Sequence, residues 1–156
     1  MICEIFKNEY PGYEHCILCN GNDESFYVEA NNMEFIVNNA SKKKFMVIEI
    51  DDCIIKNEQA KCDFLFIDCD DDTLYFVELK GKKRGVPYAI EQILMTLNKC
   101  SINKFYIDSK SVSAYIVASK LRRPKIVSAE RDRLKNELYR KNGKLSIMLK
   151  KHEIKV

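Results

Sequence analysis

Charged residues stand at the ends of two apolar runs, CDFLFI at 62–67 and TLYFVELK at 73–80. The acidic segment between the runs predicts a hairpin turn. In an antiparallel pair folded there, Asp63 faces Glu78, and opposed side chains have Cβ atoms about 4.5–5.5 Å apart. Because side chains alternate between the two faces of a strand, Lys80 is predicted on the same face as both carboxylates.

These residue types point to phosphodiester hydrolysis. Two carboxylates this close repel each other, and a divalent cation removes the repulsion. Mg²⁺ prefers oxygen ligands and usually takes one or two protein carboxylates, leaving other positions to water and substrate phosphate. A bound cation lowers the pKa of water, which can then attack phosphorus, and a lysine beside it is a point charge for a water or a phosphate oxygen. The alternative is an edge strand whose Glu78–Lys80 pair is solvated.

The hairpin centre between residues 70 and 71 also fixes the rest of the register. Leu65 is predicted opposite Phe76, with Leu65 and Phe76 on the same face as Asp63. The acidic turn 68–72 lacks the ligand order and central glycine of a helix–loop–helix calcium loop, so a solvated turn is favoured over a calcium site.

The elements around the hairpin predict an α/β or α+β domain with a mixed sheet. Residues 26–37 are expected to form either a strand pair or a short helix. Further strands are expected at 44–50 (KFMVIEI), 53–55 (CII), 104–107 (KFYI), 113–119 (SAYIVAS) and 144–149 (KLSIML).

Two amphipathic helices are also predicted. The first follows Glu-x-Lys over 86–100, with Pro87 suited to the first helical position. Its apolar stripe contains Ala89, Ile90, Ile93, Leu94 and Leu97. The second covers 128–143, with Ser128 as a plausible N-cap and Asn142-Gly143 as its stop.

Composition and charge limit the classes of protein to which the chain can belong. The 156 residues are 46% apolar and 31% charged, without an apolar run of membrane-spanning length or a signal peptide, which predicts a single soluble cytoplasmic domain. The net charge of +3 is uneven, because residues 101–156 hold 15 Lys and Arg against 5 Asp and Glu. This basic third either faces a polyanion or is a solvated surface, and the two are about evenly weighted.

Seven cysteines without an export signal predict reduced thiols. Cys16 and Cys19 form a CxxC pair, which is half a zinc site, and Cys3 and His15 could supply the remaining ligands. Apolar thiols paired in a strand are the favoured alternative, because free cysteine is among the most buried residue types.

Asp63, fourteen intervening residues and then Glu78-Leu79-Lys80 resemble the signature of the PD-(D/E)xK nuclease superfamily. That group includes restriction endonucleases, archaeal Holliday-junction resolvases and RecB-like exonucleases. The resemblance covers roughly residues 44–107. Cys62 stands where the superfamily's name has proline.

The resemblance implies a restriction-endonuclease-like fold, a mixed β-sheet flanked by helices, in one nuclease domain over residues 1–156. Its core would span about 44–120, and a basic C-terminal helix and strand would occupy 121–156. The implied activity is metal-dependent cleavage of nucleic acid, with DNA favoured over RNA and no membrane partner. A homodimer is left open, and the runner-up is an inactive module of this fold that binds nucleic acid or a protein.

By the same resemblance, Asp63, Glu78 and the Leu79 carbonyl would bind Mg²⁺ or Mn²⁺, and Lys80 would serve catalysis. Gln92 would match a polar residue that some members place near the site. Many members add another glutamate, for which the candidates are Glu29, Glu34 and Glu49.

Basic residues on both sides of the motif are the predicted contacts to nucleic acid, since such side chains neutralise backbone phosphates. They are Lys82, Lys83, Arg84, Arg122, Arg123 and Lys125.

Overall fold

The computed structural model describes residues 2–56, 61–81, 85–98, 105–120 and 129–156. The helices with both ends in these ranges are α1 (Ile2–Glu9), a 3₁₀ helix (Glu14–Cys16), α2 (Gly85–Leu97) and α3 (Ala129–Arg140). The strands are β1 (Ile17–Gly21), β2 (Ser25–Ala30), β3 (Met33–Asn38), β4 (Phe45–Glu49), β5 (Phe64–Asp68), β6 (Thr73–Lys80), β7 (Ser111–Ala118), β8 (Leu145–Leu149) and β9 (Lys151–Lys155).

Two mixed sheets form the framework. The larger has the order β1-β4-β5-β6-β7-β8, antiparallel from β1 to β6 and parallel across β6, β7 and β8. The smaller has the order β2-β3-β9, with β2 antiparallel and β9 parallel to β3. The predicted class, a mixed α/β arrangement of sheets flanked by helices, is confirmed at this level.

Alternate residues of the large sheet face two separate cores. On one face, the helix face, Leu65 and Phe76 pack in a core shared with α1, α2 and α3. On the opposite face, Phe66 and Val77 pack in a core shared with the small sheet. Because β5 and β6 are covered on both sides, their sequences are nearly continuous apolar runs and do not alternate with polar residues.

The β5–β6 hairpin has the predicted register. Leu65 pairs with Phe76 and Phe64 pairs with Val77, without a bulge along the ladder. In the turn, the buried Asp68 carboxylate accepts the N–H groups of Asp70 and Asp71. The acidic segment therefore folds as a hairpin turn that satisfies its own backbone donors.

Residues 26–37 form a strand pair, the first of the two alternatives expected for them. β2 and β3 are joined by Asn31 and Asn32, with φ of 53° and 62°. Two-residue hairpin loops with positive φ at both positions match the twist of the strands, and asparagine tolerates that conformation.

The two predicted helices are present. All five residues of the α2 stripe are buried, while Pro87 is the third residue of the helix and not the first. α3 buries Leu134 and Leu138 and ends at Arg140, and the Gly143 N–H then bonds to the Leu138 carbonyl at 2.8 Å. The proposed N-cap Ser128 lies outside the described residues.

Two strand predictions are wrong. Of residues 104–107, the described ones are helical, in a segment 105–108 whose Phe105 ring stacks on Phe6 and Tyr10 of α1. Of residues 53–55, Cys53 and Ile54 lie in a turn and Ile55 forms an isolated bridge to Asp51, with its N–H on the Ile50 carbonyl. In both cases tertiary packing overrides the strand propensity of apolar and aromatic residues.

The prediction of reduced thiols is also wrong for four cysteines. Cys3 is bonded to Cys69 and Cys16 to Cys53, so the N-terminal segment is tied twice to the large sheet and its connections. Cys19 is exposed and Cys62 is buried, both as free thiols. The CxxC cysteines therefore do not pair with each other. Among the described residues, no helix has the length and apolar character needed to cross a membrane.

Candidate active site

Asp63 and Glu78 meet at the open end of the β5–β6 hairpin. The Asp63 N–H donates to Glu78 Oε2 at 3.0 Å, and the Leu79 N–H donates to Asp63 Oδ2 at 2.9 Å. Each carboxylate thus accepts a hydrogen bond from the backbone of the opposite strand. The two acids stand directly beyond the last pair of the hairpin ladder, so both side chains are positioned by backbone geometry.

Burial makes ionisation of this pair costly. Glu78 is only 2% exposed, and this burial, together with the Asp63 charge, raises the pKa of Glu78. Burial likewise raises the pKa of Asp63, and the hydrogen bond from the Leu79 N–H partly offsets the rise. Lys80 lowers the pKa of both groups. Positive charge at this point therefore favours the ionised form of each acid.

Helix α2 holds the Lys80 side chain. Lys80 Nζ donates to Gln92 Oε1 at 3.2 Å and lies 4.2 Å from the centre of the Tyr88 ring. Gln92 in turn donates from Nε2 to the Lys61 carbonyl at 3.1 Å. Tyr88 and Gln92 are four residues apart, so they share one face of the helix. The structure thus places Gln92 beside Lys80.

The residue before Asp63 anchors the hairpin to α2. The Cys62 N–H donates to Thr96 Oγ1 at 2.7 Å, and the Thr96 hydroxyl donates to the Gln92 carbonyl at 2.8 Å. The buried Cys62 thiol lies 3.1 Å from the Val77 carbonyl. A proline at 62 would lack the N–H that makes the first of these bonds.

The three glutamates considered as a further ligand lie on two different sheets. Glu29 and Glu34 face each other on β2 and β3 of the small sheet, and Glu34 pairs with Lys151. Glu49 lies on β4 opposite Phe64 and contributes to raising the pKa of Asp63.

Asp51 is the acidic neighbour that the sequence patterns missed. Its charge raises the pKa of both Asp63 and Glu78, and its backbone N–H approaches the Asp63 carbonyl at 3.4 Å. Lys61 pairs with Asp51 at 3.2 Å and with Asp52. The only signal in the sequence was its position directly after a strand that could pair with the one starting near Asp63.

The donor chemistry fits Mg²⁺ or Mn²⁺. Asp63 and Glu78 supply hard carboxylate oxygens on one side of the hairpin, which is the number of protein carboxylates that Mg²⁺ usually takes. In the ranges that the structure describes, the one group of three potential ligands within 4.8 Å of one another is His15, Cys16 and Cys53. Its two cysteines form a disulfide, so it offers no thiolate pair for the zinc site considered above.

The six basic residues predicted to contact nucleic acid all fall outside the described ranges. They are Lys82, Lys83, Arg84, Arg122, Arg123 and Lys125. The role of each remains a prediction.

No protein-family model matches the chain, and no curated protein and no solved structure is found to be similar to it.

Proposed function

We propose that this protein is a metal-dependent nuclease of the PD-(D/E)xK type that hydrolyses phosphodiester bonds, with DNA favoured over RNA. The observation that carries the proposal is the convergence of Asp63 and Glu78, each bonded to the other's strand, with Lys80 held beside them by α2. A restriction-endonuclease-like topology is part of this proposal.

Asp63 and Glu78 would hold the ion through their carboxylates, with the Leu79 carbonyl as a further ligand. When bound, Mg²⁺ or Mn²⁺ supplies a Lewis acid for the phosphate and lowers the pKa of water. The protein contributes fixed positions, because backbone N–H groups orient both carboxylates before substrate arrives. It also contributes partial exclusion of water, because Glu78 is buried.

Lys80 would act on the phosphate. Its ammonium group donates hydrogen bonds and accepts none. Gln92 and the Tyr88 ring fix the direction of the side chain. A preorganised cation stabilises negative charge that builds on phosphate oxygens in the transition state. Gln92 would then be a positioning residue, because it reaches the reaction through Lys80.

A second function is favoured by one specific observation. Both carboxylates already accept backbone hydrogen bonds, and the buried Glu78 has a raised pKa. A protonated, hydrogen-bonded pair of this kind could serve only to hold the hairpin end together. The chain would then be an inactive module of the same fold that binds nucleic acid or a protein.

A cytoplasmic location also remains a proposal. The two disulfides count against this location, because disulfides persist in oxidising compartments and are rare in most reducing cytosols, apart from those of hyperthermophiles.

The experiment is incubation with linear, circular and branched DNA and with RNA, in Mn²⁺, Mg²⁺ or EDTA. Cleavage that requires the metal and is lost in Asp63→Asn supports the nuclease. Asp132→Asn, an exposed change of the same kind on α3, is the matched control and should cleave like the parent.

Metal binding without substrate separates the two functions. Calorimetric titration with Mn²⁺ should show a site that Asp63→Asn loses and Asp132→Asn keeps. Absence of both cleavage and Mn²⁺ binding in the parent would contradict the nuclease and leave the binding module.

A further inference from the structure

We propose that the nucleic acid crosses the large sheet at the carboxyl ends of β6, β7 and β8, held there by Lys120 and Lys150. This inference rests on the proposed function and extends it, because it names the surface on which the bound nucleic acid continues beyond the Asp63–Glu78 pair. We call this surface, formed where the three strands end, the carboxyl edge. Neither Lys120 nor Lys150 is among the basic residues expected from the sequence.

The three parallel strands end side by side. Lys80 pairs with Ala118, and the Ser119 N–H donates to the Lys80 carbonyl at 3.2 Å. Ala118 pairs with Leu149, and the Lys150 N–H donates to the Ala118 carbonyl at 2.8 Å.

Adjacent strands lie about 4.7–4.9 Å apart, so the chain positions of Lys80, Lys120 and Lys150 succeed one another across the edge. The row starts at the candidate active site and crosses the strand ends, with Lys120 two residues beyond Ala118 and Lys150 one residue beyond Leu149. A phosphate backbone laid along it would meet one cation from each strand end.

The two added lysines are available to a ligand. Lys120 and Lys150 are exposed, and within the described part of the chain neither forms an ion pair with a carboxylate. Several other lysines are committed to acids: Lys61 to Asp51 and Asp52, Lys110 to Asp72, and Lys151 to Glu34. Unpaired cations suit phosphates, because no protein contact has to be broken.

The turn between β2 and β3 borders the same edge. A Cβ placed on Gly81 would lie 3.7 Å from Asn31 Nδ2, so the turn stands directly beside the residue that follows Lys80. The Glu34 N–H donates to the Lys150 carbonyl at 3.0 Å, which ties β3 to the end of β8. Asn31 and Asn32 are exposed, and their amides offer donors and acceptors to sugar and phosphate oxygens.

The opposite ends of the same strands supply the control. Lys110 precedes β7 and Lys144 precedes β8, so they flank the same two strands at their amino ends, and both are exposed. The variant K120A/K150A and the variant K110A/K144A therefore each remove two positive charges from the same strands, and K110A in addition removes the ion-pair partner of Asp72. Only the first removes it from the carboxyl edge.

Binding is measured by fluorescence anisotropy with labelled single-stranded and duplex DNA in EDTA, which keeps cleavage out of the measurement. K120A/K150A should bind more weakly. Its log–log salt slope should be shallower by about 0.9 for each duplex phosphate that is no longer neutralised, or by about 0.7 for each phosphate of a single strand. K110A/K144A should keep the slope of the parent. Melting temperatures verify that both variants are folded.

A second pair of variants tests the asparagine turn. Asn31→Asp keeps a residue type that tolerates positive φ and places a negative charge beside the proposed backbone, so affinity should fall. Asn142→Asp makes the same change at φ 56°, after α3 and beside the amino end of β7, and should leave affinity unchanged.

Equal weakening in the two double-lysine variants, or unchanged affinity in K120A/K150A, would overturn the carboxyl edge. If that happens while the parent cleaves DNA, the inference fails and the nuclease stands. If the parent never cleaves DNA but K120A/K150A alone binds it more weakly, the carboxyl edge is the nucleic-acid surface of a binding module. If labelled RNA binds more tightly than DNA and K120A/K150A weakens that binding, the carboxyl edge is confirmed as the binding surface and RNA replaces DNA as the preferred substrate.

Discussion

At the residue scale, Asp63 and Glu78 combine two properties that usually conflict. They are close enough for the Asp63 charge to raise the pKa of Glu78, and Glu78 is buried while Asp63 is partly buried. Buried like charges are tolerated when a proton or a cation neutralises one of them. The pair is thus a place where either protonation or metal binding lowers the free energy of the folded state.

Replacing Lys80 with alanine separates catalysis from stability. The ammonium group would act on charge that develops only in the transition state, and losing one such stabiliser costs about 10²–10³ in rate. Stability should change little, within about 1 kcal/mol, because Lys80 is partly exposed and its main partners are one amide and one ring. Cleavage rate and melting temperature are compared with Lys144→Ala as control. A fully active Lys80→Ala enzyme would exclude the proposed role.

The pH dependence of stability reports on Glu78. Because its folded-state pKa is raised, the metal-free protein holds a proton that the unfolded chain has lost above the ordinary pKa of about 4.3. Stability from this group is full below that pH and is lost as pH rises through the raised pKa. Melting temperatures in EDTA should fall with rising pH, and Glu78→Gln should flatten the fall.

Two comparisons make this measurement specific. Glu29→Gln, an exposed change on β2, should retain the full pH dependence of the parent. Mn²⁺ should restore stability most at the higher pH, where the carboxylates are easiest to ionise. A melting temperature in EDTA that is constant or rises with pH would show that Glu78 is not held neutral in the fold.

At the element scale, helix α2 ties the two sides of the site together. Its Gln92 side chain contacts both Lys80 and the Lys61 carbonyl, and Thr96 binds the backbone at Cys62. Residues one helical turn apart on α2 therefore hold both the end of β6 and the segment that leads into β5. Displacement of α2 would alter the position of the cation and of the Asp63 strand at once.

The connection from α3 to β8 depends on the absence of a side chain at residue 143. A Cβ on Gly143 would lie 1.7 Å from the Val112 carbonyl oxygen of β7, and backbone cannot move aside easily. Gly143→Ala should destabilise the protein by at least about 1–3 kcal/mol, as overpacking does. Gly21→Ala, where nothing lies within 4 Å, is the matched control in chemical denaturation. Equal stability of the two variants would contradict this close approach.

At the scale of the whole molecule, two disulfides fasten the N-terminal segment to the rest of the fold. Cys3–Cys69 spans 66 residues and joins α1 to the acidic turn, and Cys16–Cys53 spans 37 residues and joins the 3₁₀ helix before β1 to the turn after β4. The second bond ends two residues from Asp51, so the N-terminal segment also supports the surroundings of the site.

Removing one disulfide should lower stability measurably. The change Cys3→Ser with Cys69→Ser should cost about 2–4 kcal/mol, because the unfolded chain gains the freedom of a long loop. Cys19→Ser, at an exposed free thiol, should melt like the parent. Dithiothreitol should lower the melting temperature of the parent and of Cys19→Ser alike. If the reductant shifts neither, the two bonds do not contribute to stability.

Local patterns determined much of the framework in advance. The register of β5 with β6 followed from a turn centre and from period-2 alternation, and the buried stripe of α2 followed from helical spacing. The meeting of Asp63 with Glu78 was a consequence of that register. These features depend on residues close in sequence, whose geometry is set by backbone dimensions.

Only the tertiary structure decided the rest. Asp51 approaches the site because β4 pairs with β5, and Lys120 and Lys150 reach the edge beside Lys80 because β7 and β8 lie parallel to β6. The cysteine pairs, and the helical turn at Phe105 against α1, likewise join residues far apart in the chain. No sequence period specifies such partners, since they are selected by the packing free energy of the whole chain.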